Sequence, residues 1–137
     1  MVDKITLLVL VHLIGCVQCF QLIPKVSPSI GCHKLMISHM TTKTFTFEQE
    51  GEFDPEKPQA LFLPGLDGVG DYSKKSLENC DKNYNLVRLR IEPTDRSTFV
   101  ELGLAVSDFL SEKQGHQTLL IGESFGGLLA SYVALRE

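Results

Sequence analysis

The chain has 137 residues, of which 43% are hydrophobic and 22% are charged, a composition typical of one globular domain and not of a disordered chain. Its net charge of −4 is unevenly distributed: residues 1–47 carry four lysines against one aspartate, whereas residues 48–137 carry sixteen acidic residues against nine Lys and Arg. The acidic part lacks the basic stripe of a nucleic-acid-binding protein, so we expect no nucleic-acid partner. The asymmetry indicates a targeting segment ahead of an acidic domain.

The first segment has the pattern of a signal peptide. Lys4 precedes a mostly apolar run over residues 5–17, which is shorter than the roughly 20 residues that a membrane-spanning helix needs. We therefore predict a signal peptide over residues 1–19, cleaved after Cys19. The alternative is an uncleaved signal anchor that holds the protein on a membrane.

Residues 20–43 form a second segment of different character. They contain three lysines, two histidines and many Ser and Thr side chains, but no acidic residue. This is the composition of a disordered, transit-peptide-like segment. A signal peptide followed by Phe20 and such a segment resembles the bipartite leaders of algae with secondary plastids. The resemblance implies a plastid destination, and plain secretion with a disordered arm is the competing interpretation.

The cysteines agree with a reducing compartment. Cys16, Cys19 and Cys32 lie in the two leader segments, and Cys80 is the one cysteine in the predicted domain over residues 44–137. A single thiol cannot form an internal disulfide. The sequence also has no Cys–His spacing typical of a metal site, so we expect neither a metal nor a cofactor.

Apolar runs alternate with helical patterns through the predicted domain. Strands are predicted at four places, the first at a sheet edge and the second buried on both faces: residues 45–47, 59–63, 84–90 and 118–121. Helices are predicted over residues 71–79, from a capping box of Thr98 and Glu101 to a stop at Gly115, and over 127–135. Strands that alternate with helices predict an α/β fold with right-handed crossovers and a parallel sheet.

The segment from Gly122 to Gly126 reads Gly-Glu-Ser-Phe-Gly and lies between a predicted strand and a predicted helix. In this context the Gly-x-Ser-x-Gly pattern predicts a nucleophile elbow, a sharp turn that pushes the hydroxyl of Ser124 outward. Gly122 and Gly126 are expected because strand and helix pass too close for side chains, and we assign Gly127 to the same elbow. The alternative is a Gly-rich turn with an ordinary capping serine.

A serine nucleophile needs hydrogen-bond donors for the oxyanion that it creates. The N–H of Phe125 follows the serine at the start of a helix, where free N–H groups and the helix dipole favour negative charge. A second donor is expected in the Gly-rich loop over residues 63–70, directly after a buried strand. We assign this donor to the N–H of Leu66, with Asp67 as its nearest competitor.

Two motifs, Leu-Pro-Gly-Leu-Asp-Gly at 63–68 and Gly-Glu-Ser-Phe-Gly-Gly at 122–127, together resemble the α/β-hydrolase fold. With Arg-Ser-Thr-Phe at 96–99, they resemble more narrowly the plastid phytyl-ester-synthase and esterase/lipase/thioesterase group. Pro64 stands where many α/β-hydrolases have a His. The resemblance implies a three-layer parallel sheet and a Ser124 nucleophile that hydrolyses an ester or transfers its acyl group to a lipid alcohol. The implied substrate is a fatty-acyl or phytyl ester, which is compatible with peripheral membrane contact.

The sequence departs from that fold in one respect. The fold places a catalytic acid and then a His after the nucleophile, but thirteen residues follow Ser124 and none is His. His116 precedes the elbow strand and should lie at its far end. We therefore expect the N-terminal part of a longer enzyme, truncated after the elbow helix, inactive alone and with the elbow strand at an open sheet edge. The alternative is a non-catalytic remnant that binds lipid or a partner.

Overall fold

The computed structural model describes residues 8–13, 16–21, 44–78, 80–112 and 118–136. In these residues the strands are β1 (Leu8–Leu13), β2 (Cys16–Gln21), β3 (Phe45–Gln49), β4 (Gln59–Leu63), β5 (Asn85–Ile91) and β6 (Thr118–Glu123). The helices are α1 (Lys74–Leu77), α2 (Cys80–Asn83), α3 (Phe99–Glu112) and α4 (Phe125–Ala134), and a 3₁₀ turn over Asp71–Ser73 precedes α1. The strand order across the sheet is β2-β1-β6-β4-β5-β3.

The sheet is mixed. Strand β4 lies between β5 and β6 and is parallel to both. Strand β3 pairs antiparallel with β5, and β1 and β2 form an antiparallel hairpin whose first strand is parallel to β6. The prediction of a wholly parallel sheet is therefore wrong, because the strands at both edges reverse direction. The four strands β3–β6 with helices α3 and α4 give a mixed α/β fold.

Most predicted elements of the domain are present. All five residues of β4 are buried, and β3 lies at an edge, as predicted. Helix α4 begins at Phe125, two residues before the predicted start. The prediction assigned Gly126 to the turn, whereas both glycines lie in the first turn of the helix. The predicted helix over 71–79 is instead a 3₁₀ turn followed by short helices. Of the side chains described there, Ser73 and Leu77 are buried, which leaves too little apolar surface to support one longer helix.

Strand β1 occupies the edge of β6 that the sequence predicts to be open. Its register places Val11 beside Gly122 and His12 beside Glu123. The expectation of an open elbow-strand edge is therefore wrong for this chain, because an apolar run that suits a signal peptide also suits a strand. The pairing does not test cleavage after Cys19, which stays a prediction.

Buried side chains alternate between the two faces of the sheet. Leu63 of β4 and Leu120 of β6 pack with helices α3 and α4 on one face. Phe62 and Ile121 pack on the other face, where Leu77 of α1 joins them. Helices therefore lie on both faces, and the ends of β4 and β6 are fixed by a core on each side.

Helix α3 begins with the predicted capping box. The N–H of Thr98 donates to Glu101 Oε2 at 2.7 Å, and the N–H of Glu101 donates to Thr98 Oγ1 at 3.3 Å. The predicted stop at Gly115 lies outside the described residues. Helical spacing predicts five core-facing residues in α3. Leu102, Val106 and Leu110 are buried, and Phe99 and Phe109 are partly buried against the same core.

Candidate active site

The turn between β6 and α4 consists of one residue, Ser124. Strand β6 ends at Glu123 and helix α4 begins at Phe125, so the chain reverses its course at the serine. Ser124 has φ 50° and ψ −111°, and it is the one non-glycine residue with positive φ in the described part of the chain. Such a conformation costs roughly 1–3 kcal/mol and persists where the surrounding structure fixes it.

The Ser124 side chain is exposed and is not used to cap the helix. Ser124 occupies the N-cap position of α4, yet its hydroxyl makes no capping hydrogen bond. An ordinary N-cap serine accepts a bond from an N–H of the first turn. The backbone carbonyl of Ser124 accepts from the N–H groups of Gly127 at 2.9 Å and Leu128 at 3.2 Å. The hydroxyl is therefore held outward while the backbone around it is fixed.

Two glycines allow the close approach on which this turn depends. A Cβ at Gly122 would lie 2.4 Å from the carbonyl oxygen of Gly126 and 2.6 Å from the Cα of Gly127. A Cβ at Gly126 would lie 2.0 Å from the carbonyl oxygen of Leu63 and 2.6 Å from that of Pro64. These neighbours are backbone atoms and cannot rotate away. Helix α4 therefore packs directly on the ends of β4 and β6.

The sheet brings the predicted oxyanion loop to the elbow. Leu63, the last residue of β4, pairs with Gly122 of the adjacent parallel strand β6. The loop after β4 and the turn after β6 therefore start at the same level of the sheet. Leu66 in that loop is 87% exposed, and among the described residues neither its N–H nor that of Phe125 donates a hydrogen bond.

The predicted oxyanion loop is fixed at its base. The N–H of Gly68 donates to the carbonyl of Gly65 at 3.1 Å, and the N–H of Ile91 donates to the carbonyl of Gly68 at 2.8 Å. Gly68 has φ 71°, and a Cβ there would lie 2.4 Å from the carbonyl oxygen of Ile91. Asp67 Oδ2 accepts the N–H of Asp71 at 3.0 Å. The loop is thus held to the end of β5 on one side and to the 3₁₀ turn on the other.

One contact between the 3₁₀ turn and the elbow was not predicted from the sequence. The hydroxyl of Ser73 donates to Glu123 Oε2 at 2.7 Å. The partners are 50 residues apart, and a lone serine after a loop has no periodic or motif signal that would identify it. On the same side, Asp67 Oδ1 is buried and has no hydrogen-bond partner among the described residues.

Aromatic packing supports the elbow from the side of α3. The ring of Phe99, the first residue of α3, meets Phe125 edge to face at 5.7 Å and Tyr132 at 5.2 Å. Gly103 lies so close to Tyr132 that a Cβ would come within 2.5 Å of its ring. The Arg-Ser-Thr-Phe stretch therefore places an aromatic ring against the residue that follows the serine.

Asp95 ties the segment before α3 to the start of β3. Its carboxylate accepts the N–H of Ser97 at 2.7 Å, the N–H of Thr44 at 2.9 Å and the Thr44 hydroxyl at 3.1 Å. Burial acts to raise the pKa of Asp95, but the hydrogen bonds from Thr44 and Ser97 outweigh burial and lower the pKa below its ordinary value of 3.8.

The structure places Ser124, Phe125 and the elbow glycines in one turn, and the loop that contains Leu66 begins beside that turn. His116 lies outside the described residues, as do His33 and His39. Within those residues, no group of three or more His, Cys, Asp or Glu side chains is arranged to hold a metal ion. None of the helices described combines the length and the hydropathy of a membrane span.

Comparison with known proteins gives one partial similarity. Over 86 residues the chain is 36% identical to phytyl ester synthase 1, chloroplastic, of Arabidopsis thaliana. The aligned part is 60% of this chain but 12% of that protein, so the chain spans a small part of the length of the relative it matches. No protein-family model and no solved structure matches the chain. The chain is thus distantly similar, over part of its length, to a plastid ester synthase.

Proposed function

We propose that residues 44–137 belong to a serine enzyme of the α/β-hydrolase type that cleaves or forms fatty-acyl or phytyl esters. The observation that supports this most directly is the backbone of Ser124, at φ 50° between a strand and a helix, with an outward hydroxyl that caps nothing. Strain of this kind is concentrated at functional sites. The partial similarity to a phytyl ester synthase supports the same class of substrate.

In the proposed reaction, Ser124 Oγ bonds to the carbonyl carbon of the ester while its proton passes to a base. The carbonyl oxygen becomes an oxyanion, and the N–H groups of Phe125 and Leu66 stabilise it. The tetrahedral intermediate then expels the alkoxide, which takes that proton from the base, and leaves an acyl-serine. In the second half-reaction, water or a lipid alcohol gives a proton to the base and bonds to the acyl carbon; the bond to Ser124 Oγ breaks, and Oγ regains the proton, giving hydrolysis or transfer.

We further propose that the base and its acid partner are supplied by the full-length gene product after residue 137. Loss of the base in a serine hydrolase costs on the order of 10⁶ in turnover, so residues 1–137 alone should turn over substrate very slowly. No role in proton transfer is assigned to Asp67 or Glu123, because a carboxylate cannot replace the imidazole in this chemistry.

A serine-directed fluorophosphonate probe tests the proposal. We expect the full-length gene product to be labelled at Ser124, and the Ser124→Ala variant to lose the label while its thermal unfolding stays close to that of the wild type. Mass spectrometry of the labelled peptide identifies the site. An unlabelled wild type that co-purifies with lipid would contradict the enzyme proposal and favour a lipid-binding remnant.

We also propose that the protein acts in a plastid. The basic, acid-free segment over residues 20–43 and the chloroplastic relative support this location. N-terminal sequencing of the mature protein checks it: we expect the first cleavage after Cys19 and a second at the end of the transit-like segment. A mature chain that still begins at Met1 would favour the signal-anchor alternative.

A further inference from the structure

The residue before the proposed nucleophile is hydrogen-bonded to the 3₁₀ turn that follows the oxyanion loop. Glu123 is the variable position of the Gly-x-Ser-x-Gly motif, and its carboxylate accepts the hydroxyl of Ser73 at 2.7 Å. This separation is an ordinary one for an O–H···O hydrogen bond and lies at the upper end of the range of charge-assisted O–H···O⁻ bonds. Ser73 is 8% exposed, so the bond is partly shielded from water.

The beginning of the loop also rests on Glu123. A Cβ on Gly65 would lie 3.7 Å from the carbonyl oxygen of Glu123 and 3.8 Å from its carboxyl carbon. Gly65 therefore faces Glu123, with room for no more than a small side chain between them. Ser73, eight residues further along the chain, is hydrogen-bonded to the same residue. The segment that contains the proposed donor Leu66 thus begins beside Glu123 and is bonded to it at its far end.

We propose, on the basis of the function proposed above, that Ser73 and Glu123 are positioning residues that set the distance from the Leu66 N–H to the Ser124 hydroxyl. Glu123 is bonded covalently to Ser124, so any shift of the loop relative to Glu123 changes that distance. An oxyanion donor acts only when it lies near the position of the developing charge. The pair therefore contributes to the rate of the chemical step and not to substrate binding.

Replacing either partner should slow the reaction of Ser124. In the full-length gene product, we expect Ser73→Ala and Glu123→Ala each to lower the fluorophosphonate labelling rate by about 10- to 100-fold, the size expected for a misplaced donor. The double variant should be no slower than the slower single variant, because both changes release the same contact. Glu123→Gln keeps an oxygen that accepts the Ser73 hydroxyl, so its rate should stay within about threefold of the wild type.

Ser111→Ala is the matched control. It also removes a serine hydroxyl that makes a single hydrogen bond, here to the carbonyl of Ser107 on the exposed side of α3. We expect its labelling rate to equal that of the wild type. Thermal unfolding of every variant, with labelling rates corrected for the folded fraction, separates a loss of stability from a loss of positioning.

The outcomes separate the two proposals. A labelled wild type with Ser73→Ala and Glu123→Ala at the same corrected rate would overturn the positioning pair and leave the proposed function intact. If these two variants are less stable to heat but are labelled at the wild-type corrected rate, the pair is only a structural contact and its proposed positioning role is wrong. A wild type that is not labelled at Ser124 would overturn the proposed function, and the positioning role with it.

Discussion

At the scale of single residues, the backbone of Ser124 and the two glycines beside it depend on one another. A Cβ on Gly122 or Gly126 would lie 2.0 to 2.6 Å from backbone atoms, so any side chain there would push strand and helix apart. The close approach lets α4 start immediately after Ser124, and the immediate start forces positive φ on the serine. The Gly-x-Ser-x-Gly pattern predicts this turn because the strand, the serine and the helix follow one another directly in the chain, although the close approach at Gly126 is to the distant residues Leu63 and Pro64. The contact between Ser73 and Glu123 could not be predicted, since it depends on how distant segments fold together.

At position 124, a glycine variant should be more stable than an alanine variant. Glycine adopts positive φ without a steric penalty, whereas alanine retains that penalty. We expect Ser124→Gly to be about 1 kcal/mol more stable than Ser124→Ala, even after the greater unfolded-state entropy of glycine is subtracted. Urea unfolding of the purified variants measures the difference.

The same pair of substitutions at Ser111, inside α3, provides the control. Glycine in an exposed helix interior is less stable than alanine by about 1 kcal/mol, so the sign of the difference should reverse there. If the glycine variant is less stable than the alanine variant at both positions, the backbone conformation of Ser124 imposes no measurable steric penalty.

At the scale of elements, the sequence predicts a helix or strand correctly where its local pattern is typical of one kind of element. The five-residue apolar run of β4 and the capping box of α3 each gave the correct element. The start of α4 was placed two residues late, because paired glycines are common in loops and rare within a helical first turn. The hairpin of β1 and β2 was not predicted, since its apolar residues also match a signal peptide and its pairing with β6 is not local.

The hydrogen bonds of Asp95 that connect the segment before α3 to the start of β3 should weaken in acid. Hydrogen bonds from Thr44 and Ser97 outweigh burial and lower the pKa of Asp95 in the folded state relative to 3.8. A group with a lowered folded pKa stabilises the fold fully above its unfolded pKa, and that stabilisation is lost as the pH falls through the folded pKa. We therefore expect the contribution of Asp95 to be constant above about pH 5 and to decline below pH 3.8.

The Asp95→Asn variant isolates this contribution. Its amide cannot ionise, so the difference in unfolding free energy between wild type and variant should shrink as the pH is lowered below 3.8. Urea unfolding at a series of pH values measures that difference. A difference that stays constant down to about pH 2 would contradict the assignment of this acid sensitivity to Asp95.

At the scale of the whole molecule, the N-terminal hairpin covers the side of the elbow strand β6 that faces away from β4. Strand β1 pairs with β6, while the sequence predicts that the first 19 residues are removed on maturation. Removal would take β1 and most of β2 out of the sheet and leave one side of β6 unpaired. An exposed apolar strand edge is a site for pairing with another strand.

Deletion of residues 1–19 should therefore change the association state of this chain. We expect the deleted chain to form dimers or larger species at micromolar concentration, measured by size-exclusion chromatography with light scattering. Deletion of residues 2–7 leaves both strands of the hairpin in place and should have no such effect. A monomeric chain after the longer deletion would mean that β1 does not protect the edge of β6.

The alignment of Leu63 with Gly122 across two adjacent strands has a further consequence. The ladder of the sheet, about 4.8 Å from strand to strand, sets how far the start of the Leu66 loop lies from the elbow, and the substrate does not. Under the proposed chemistry, the carbonyl groups of long and short acyl esters would therefore meet the same donors at the same positions. Preference among chain lengths would then arise where the tail of the ester is bound, and would alter KM far more than kcat.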